Sequence, residues 1–236
     1  MILKSPFRKV RPKEMTSVFK FEKPGPLRHE VRLSLHTFEA ELLFMGYPLK
    51  SRVGLLRFSA LLYDIWEEAK KEYPYAEYYL WLIHEKIEFI SRNLKAIAVR
   101  YEDLLFDHSS DNSFEMTHLA SQKPVVRTLW FKTPYGYKAA GIIADFDRLL
   151  CLALTAYHVG IIPNKVYEAL RDEWSAHITV LFQLPLEWQS LGVGRYDIAN
   201  HAELSQKAVS LMGISIEDIL DQTKRSPLTP SPKKSV

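Results

Sequence analysis

From residue 30 the chain alternates between apolar and polar positions. Val31, Leu33 and Leu35 are apolar, while Arg32, Ser34 and His36 are polar. A period of two marks a strand with one buried face. Thr37 is then an N-cap for a short helix whose Ala40, Leu43 and Phe44 share a face, and Gly46, Tyr47 and Pro48 end it. A second helix is expected after Ser51, with Val53, Leu56, Ala60, Tyr63 and Ile65 inward, stopping before Pro74. A third runs from near Ala76 to Leu105. Its Leu80, Ile83, Ile87, Ile90, Leu94 and Ile97 recur at steps of three and four, the spacing of an amphipathic helix.

Residues 107–124 lose the periodicity and are polar, which predicts an exposed loop. Residues 125–133, VVRTLWFKT, read as a second strand. Thr133 and Pro134 then open a helix to His158 that is apolar on most sides and therefore central. Asn164 starts another helix to about Leu184, Asp197 one to Met212, and Ser215 with Asp218 forms a capping box. The expected fold is mainly α: a strand–helix–helix element of ribbon–helix–helix type within a larger helical body, with one or two short strands. Its parts are a basic arm (1–27), a first helical region (28–106), the loop (107–124), a second helical region packed on the first (125–222) and a disordered tail (223–236).

Charge adds a contrast to this outline. The net value of +3 is small, but residues 1–36 carry +6 and residues 223–236 carry +4, so the body between them is −7. Basic ends on an acidic body suit a polyanionic partner. The stretch from Leu149 to Ile162 is too short to span a bilayer and the N-terminus shows no signal sequence, so a cytoplasmic protein without a membrane partner is expected. The lone Cys151 excludes an internal disulfide and a Cys-rich zinc site.

Motifs for chemistry are missing. GVGR at 192–195 is no phosphate loop, there is no Gly-x-Ser-x-Gly or His-Glu-x-x-His, and the eight histidines have no metal-ligand spacing. Asp147 and His158 share a helix face but sit about 16 Å apart at 1.5 Å per residue, too far for acid–base work. Asp145 points to another side of that helix, and Cys151 among leucines reads as a small buried hydrophobe. The sequence therefore predicts no enzyme, no metal and no cofactor.

The strand–helix–helix segment is the one arrangement that reads as a site. Strand 30–37 has backbone groups that need a partner. If two copies paired in a homodimer, Arg32, Ser34 and His36 would face outward on a two-stranded ribbon that fits the DNA major groove. Lys50, Ser51 and Arg52 at the start of the next helix would hold a phosphate. Two alternatives stand beside this one. Strands 30–37 and 125–133 can pair within one chain as a structural hairpin, or the second strand can itself be the ribbon, with Arg127 and Lys132 as readers.

Three stretches carry a likeness: EYPYAEYYLWLI, KTPYGYKAAGIIADFDRLLCLALTAYHVGIIP, and GRYDIANHAELSQKAVSLMGISIEDIL with RSPLTP. They resemble the family encoded on integrating conjugative elements and conjugative plasmids that includes the AcaB-type transfer regulator. The resemblance spans about residues 28 to 230 and contains no catalytic motif. It implies a DNA-binding regulator of transfer-gene transcription with a ribbon–helix–helix element, with promoter DNA, a second copy and other transfer regulators as candidate partners. No DNA-contacting residues carry over from it. The rival reading is an accessory scaffold of the transfer machinery that binds protein.

Overall fold

The computed structural model describes residues 30–46, 52–112, 117–200, 206, 209–210, 213, 215–220 and 224–231. The chain divides into residues 1–30, of which only Glu30 is described, and Val31–Val236, which holds the elements that follow. They run β1 (Val31–Leu35), α1 (Phe38–Met45), α2 (Leu55–Ala69), α3 (Pro74–Asn112), β2 (Val125–Leu129), α4 (Pro134–His158) and α5 (Asn164–Gln183). A 3-10 turn (Leu184–Glu187) and the short helices α6 (Arg195–Asn200) and α7 (Ile216–Leu220) follow. The order strand–helix–helix thus occurs twice, with α3 between the two occurrences.

Helix α4 is the centre. Ile143, Phe146, Leu149, Leu150, Ala153 and Ala156 are fully buried on several sides of it, as its near-continuous apolar sequence requires. Helices α1, α2, α3 and α5 and strand β1 all pack on it. Helix α3 contributes Leu80, Ile83, Ile87, Ile90 and Leu94, the same three-and-four repeat read from the sequence. Phe58 of α2 stacks on Phe182 of α5 with ring centroids 4.7 Å apart.

Both strands are shorter than expected, β1 ending at Leu35 and β2 at Leu129, and two helix boundaries also differ. Helix α3 is 39 residues long and continues past Leu105 to Asn112, so residues 107–112 are helical rather than loop. No glycine or proline interrupts residues 75–112, and polarity alone does not stop a helix. Helix α2 starts at Leu55, with Gly54 as N-cap, not directly after Ser51. The backbone crosses itself first: a Cβ on Gly54 would lie 2.4 Å from the Gly46 nitrogen, and one on Gly46, at φ 75°, would lie 2.6 Å from the Gly54 nitrogen. Glycine at both positions permits that approach.

The C-terminal stretch is a further correction, because residues 224–231 are docked rather than disordered. The Tyr135 hydroxyl, buried and pushed up to about 12, donates to the Ser226 hydroxyl at 2.6 Å. Arg225 pairs at 3.2 Å with Glu77, a carboxylate that Arg195 also holds, and Pro230 is buried. Two anchors outweigh a Pro/Ser/Lys composition. Residues 232–236, and residues 1–27 of the expected arm, lie outside the described residues.

A pair of substitutions should separate the two sides of that contact. Ser226→Ala leaves the buried Tyr135 hydroxyl without its acceptor, an expected loss of about 1–3 kcal/mol. Tyr135→Phe removes the demand itself, since Ser226 still accepts from the Leu228 amide at 3.1 Å. It should cost about 1 kcal/mol or less. Urea unfolding of both variants checks the order.

Candidate nucleic-acid interface

Strands β1 and β2 form an antiparallel ribbon within one chain. Val31 stands opposite Leu129, Arg32 opposite Thr128, Leu33 opposite Arg127, Ser34 opposite Val126 and Leu35 opposite Val125. Alternation divides the ribbon into two faces. Leu33 (5% exposed), Leu35 (2%) and Leu129 (5%) enter the core. Arg32, Ser34, Val126 and Thr128 are exposed on the other face. That outer face holds one cation and no carboxylate, although exposed Glu30 precedes it.

This pairing corrects the expectation that β1 needs a second copy of itself. The partner is β2 of the same chain, the intrachain alternative left open by the sequence. The apolar face is also covered internally, so neither the edge nor the leucines require a dimer. The reason is physical: α1 and α4 already lie beneath β1, and β2 arrives beside it after α3.

Of the residues proposed as readers, Arg32 and Ser34 are on the outer face and His36 is not. The strand ends at Leu35, and the half-buried His36 accepts the Ser121 backbone N–H on Nδ1 at 3.2 Å. The intended phosphate clamp is split. Lys50 and Ser51 lie outside the described residues, and exposed Arg52 precedes the helix start instead of flanking it. The alternative readers also fail as outward residues. Arg127 is on the inner face, ion-paired with Glu41 and 5.4 Å over the Phe44 ring. Lys132 lies beyond β2, with its ammonium 4.4 Å from the Tyr63 ring centroid, beside a groove formed by Leu56, Ser59 and Trp130.

One residue that orders the site reads from the sequence only as a surface or singly paired group. Asp147, 3% exposed on α4, accepts three hydrogen bonds. His36 N–H donates to Oδ2 at 2.8 Å, Thr37 N–H donates to Oδ1 at 2.8 Å, and the Thr37 hydroxyl donates to Oδ1 at 2.7 Å. Thr37 Oγ1 in turn caps the Ala40 amide at 3.4 Å. The carboxylate therefore fixes the turn from β1 into α1 and clamps the ribbon to the central helix. Segment 117–124 is pinned nearby, where Leu119 N–H donates to Thr155 Oγ1 at 2.9 Å.

Other chemistry is sparse. Burial, with Asp147 nearby, pushes the Cys151 thiol up to about 11, so it is protonated at neutral pH and a poor nucleophile. Burial also raises Asp145, against the opposing pull of Lys95 at 3.7 Å. Among the described residues no group of three His, Cys, Asp or Glu side chains can hold a metal ion, and no helix is long and apolar enough to cross a membrane.

Comparison with known proteins places this arrangement. The family model described as "Transcriptional regulator AcaB" matches residues 23–233. The fold is similar to a crystal structure of selenomethionine-containing AcaB from uropathogenic E. coli, with 15% identity and a TM-score of 0.57. The match covers 84% of this chain and 97% of that one. No curated protein matches the sequence.

Proposed function

The chain belongs to the AcaB transcriptional regulator family, and from that premise we propose that it acts by binding double-stranded DNA with the β1–β2 ribbon. The observation that carries this reading is the outer face of the ribbon. Arg32, Ser34 and Thr128 stand on one exposed surface while the leucines of the same strands are buried. A two-stranded ribbon fits the major groove, where an arginine makes paired hydrogen bonds to guanine and hydroxyls meet other base edges. A ribbon–helix–helix pair ordinarily takes one strand from each subunit. In this chain both strand–helix–helix units are supplied in cis, so one copy brings a whole ribbon. Arg52 enters as a phosphate contact. The regulated genes are those of conjugative transfer, in keeping with the family resemblance.

The test is binding of the full chain to promoter DNA from transfer genes, compared with random DNA of equal length across a range of salt. Tighter binding to the promoter supports the reading. No binding to either DNA overturns it and leaves a protein-binding accessory role.

Deleting residues 1–27, which carry seven Lys/Arg against two Glu, supplies a further prediction. Phosphate contacts position a protein without reading sequence. Specific and random binding should weaken together, and the salt dependence should become shallower by about 0.9 in slope for each phosphate no longer neutralised. Loss of discrimination at unchanged bulk affinity would make the arm a reader.

A further inference from the structure

Helix α3 buries one side along most of its length and leaves a second stripe open. Glu85, Phe89, Arg92, Ala96, Val99, Asp103 and Phe106 are exposed or largely so, and they recur at alternating steps of four and three. That is the seven-residue spacing of a helix-pairing seam. Phe89 is 46% exposed, Val99 52% and Phe106 70%, a run of large apolar side chains unusual for a solvated helix face.

We propose that this stripe pairs α3 with the α3 of a second copy, antiparallel about a two-fold axis between Ala96 and Val99. The occupant is identified by self-complementarity. In an antiparallel pair each seam position meets the complementary position of its mate. Phe89 then meets the partner's Phe106, Arg92 meets the partner's Asp103, and Ala96 meets the partner's Val99, with every contact repeated by symmetry. The central layers are small and close, the outer layers aromatic, and the polar layers of opposite charge. One flank agrees: Lys86 faces the partner's Asp107. Among the described residues neither Arg92 nor Asp103 closes an ion pair within 4 Å inside the chain; Arg92 acts on Glu88, one turn back, only at longer range, and Glu88 is already held by Lys138. Lys95 and Glu102, on the other flank, are already paired within the chain to Asp145 and Arg148. A parallel pair would instead stack arginine on arginine and aspartate on aspartate. The layers span about 26 Å of helix at 1.5 Å per residue. This surface is separate from the ribbon, so the inference does not rest on DNA binding.

Sedimentation of the full chain across micromolar concentrations tests it by mass alone. The wild type should form a species of twice 27.4 kDa. Arg92→Asp and Asp103→Arg should each be monomeric, because each places like charges in two layers. An equimolar mixture of the two should dimerise, since every polar layer then pairs opposite charges. The double variant R92D/D103R should dimerise for the same reason. Val99→Glu should also be monomeric, and circular dichroism should show all variants folded, because these positions are exposed in the single chain. A wild type that stays monomeric overturns the proposal. So do single reversals that still self-associate, or a mixture that does not.

Discussion

Asp147→Ala should destabilise the protein by about 2–4 kcal/mol, a large fraction of the stability of an ordinary domain. The substitution removes the acceptor of three hydrogen bonds at once: two from successive backbone amides and one from the Thr37 hydroxyl. Those amides lie just before α1, on its N-cap Thr37 and on His36, where no helix carbonyl is available to replace the carboxylate. Alanine also leaves a hole next to Phe146 and Leu150, but this is the smaller part of the loss. Asp147→Asn is the informative comparison. It keeps one oxygen but turns an amide NH2 towards a group that is itself a donor, so it should fall between alanine and the wild type. Urea unfolding measures this, with an unchanged slope showing that the midpoint shift is a stability change. A loss below about 0.5 kcal/mol for alanine would mean that the Thr37 cap and the leucine packing hold the turn without the aspartate.

Local pattern carried much of the fold. The alternation in 31–35, the three-and-four repeat of Leu80 to Leu94, and the Thr133–Pro134 start of α4 depend on neighbours a few residues away. Features that depend on distant partners are not legible in that way. The pairing of β1 with β2 joins segments separated by all of α1, α2 and α3, and two strands of similar pattern do not reveal whether they meet each other or their own copies. Asp147 lies 110 residues from Thr37, so nothing near it in sequence shows that its carboxylate fixes the start of a helix. Arg127 misleads for a related reason. In VVRTL either phase of alternation is plausible, and the guanidinium is admitted to the inner face because Glu41 is there to meet it and Phe44 lies beneath it. The C-terminal stretch has the composition of an unfolded segment, yet Arg225 and Ser226 find a buried carboxylate and a buried phenol. In each case a polar group is placed by a partner that the local sequence does not contain.

The same contrast makes Arg32 and Arg127 a matched pair for the DNA-binding reading. They sit on opposite faces of one ribbon, Arg32 beside Thr128 and Arg127 beside Leu33. Arg32→Ala removes an exposed side chain with no role in the core, so the melting temperature should hardly move. On the specific site it should lose about 1–3 kcal/mol, roughly fivefold to a hundred-and-fiftyfold in affinity, as expected for a paired contact to guanine. On random DNA the loss should be far smaller, because only one phosphate-range cation is removed. Arg127→Ala should do the reverse. Glu41 would be left half-buried without its cation, and Phe44 without its stacked guanidinium, at an expected cost of about 1–3 kcal/mol in stability. Discrimination between promoter and random DNA should survive wherever the protein is folded. Should Arg127→Ala abolish specific recognition in a folded protein while Arg32→Ala is silent, the inner face would be the reading face and the ribbon would have to turn over to bind. Should both leave every DNA interaction unchanged, the outer face of the ribbon is not the reader.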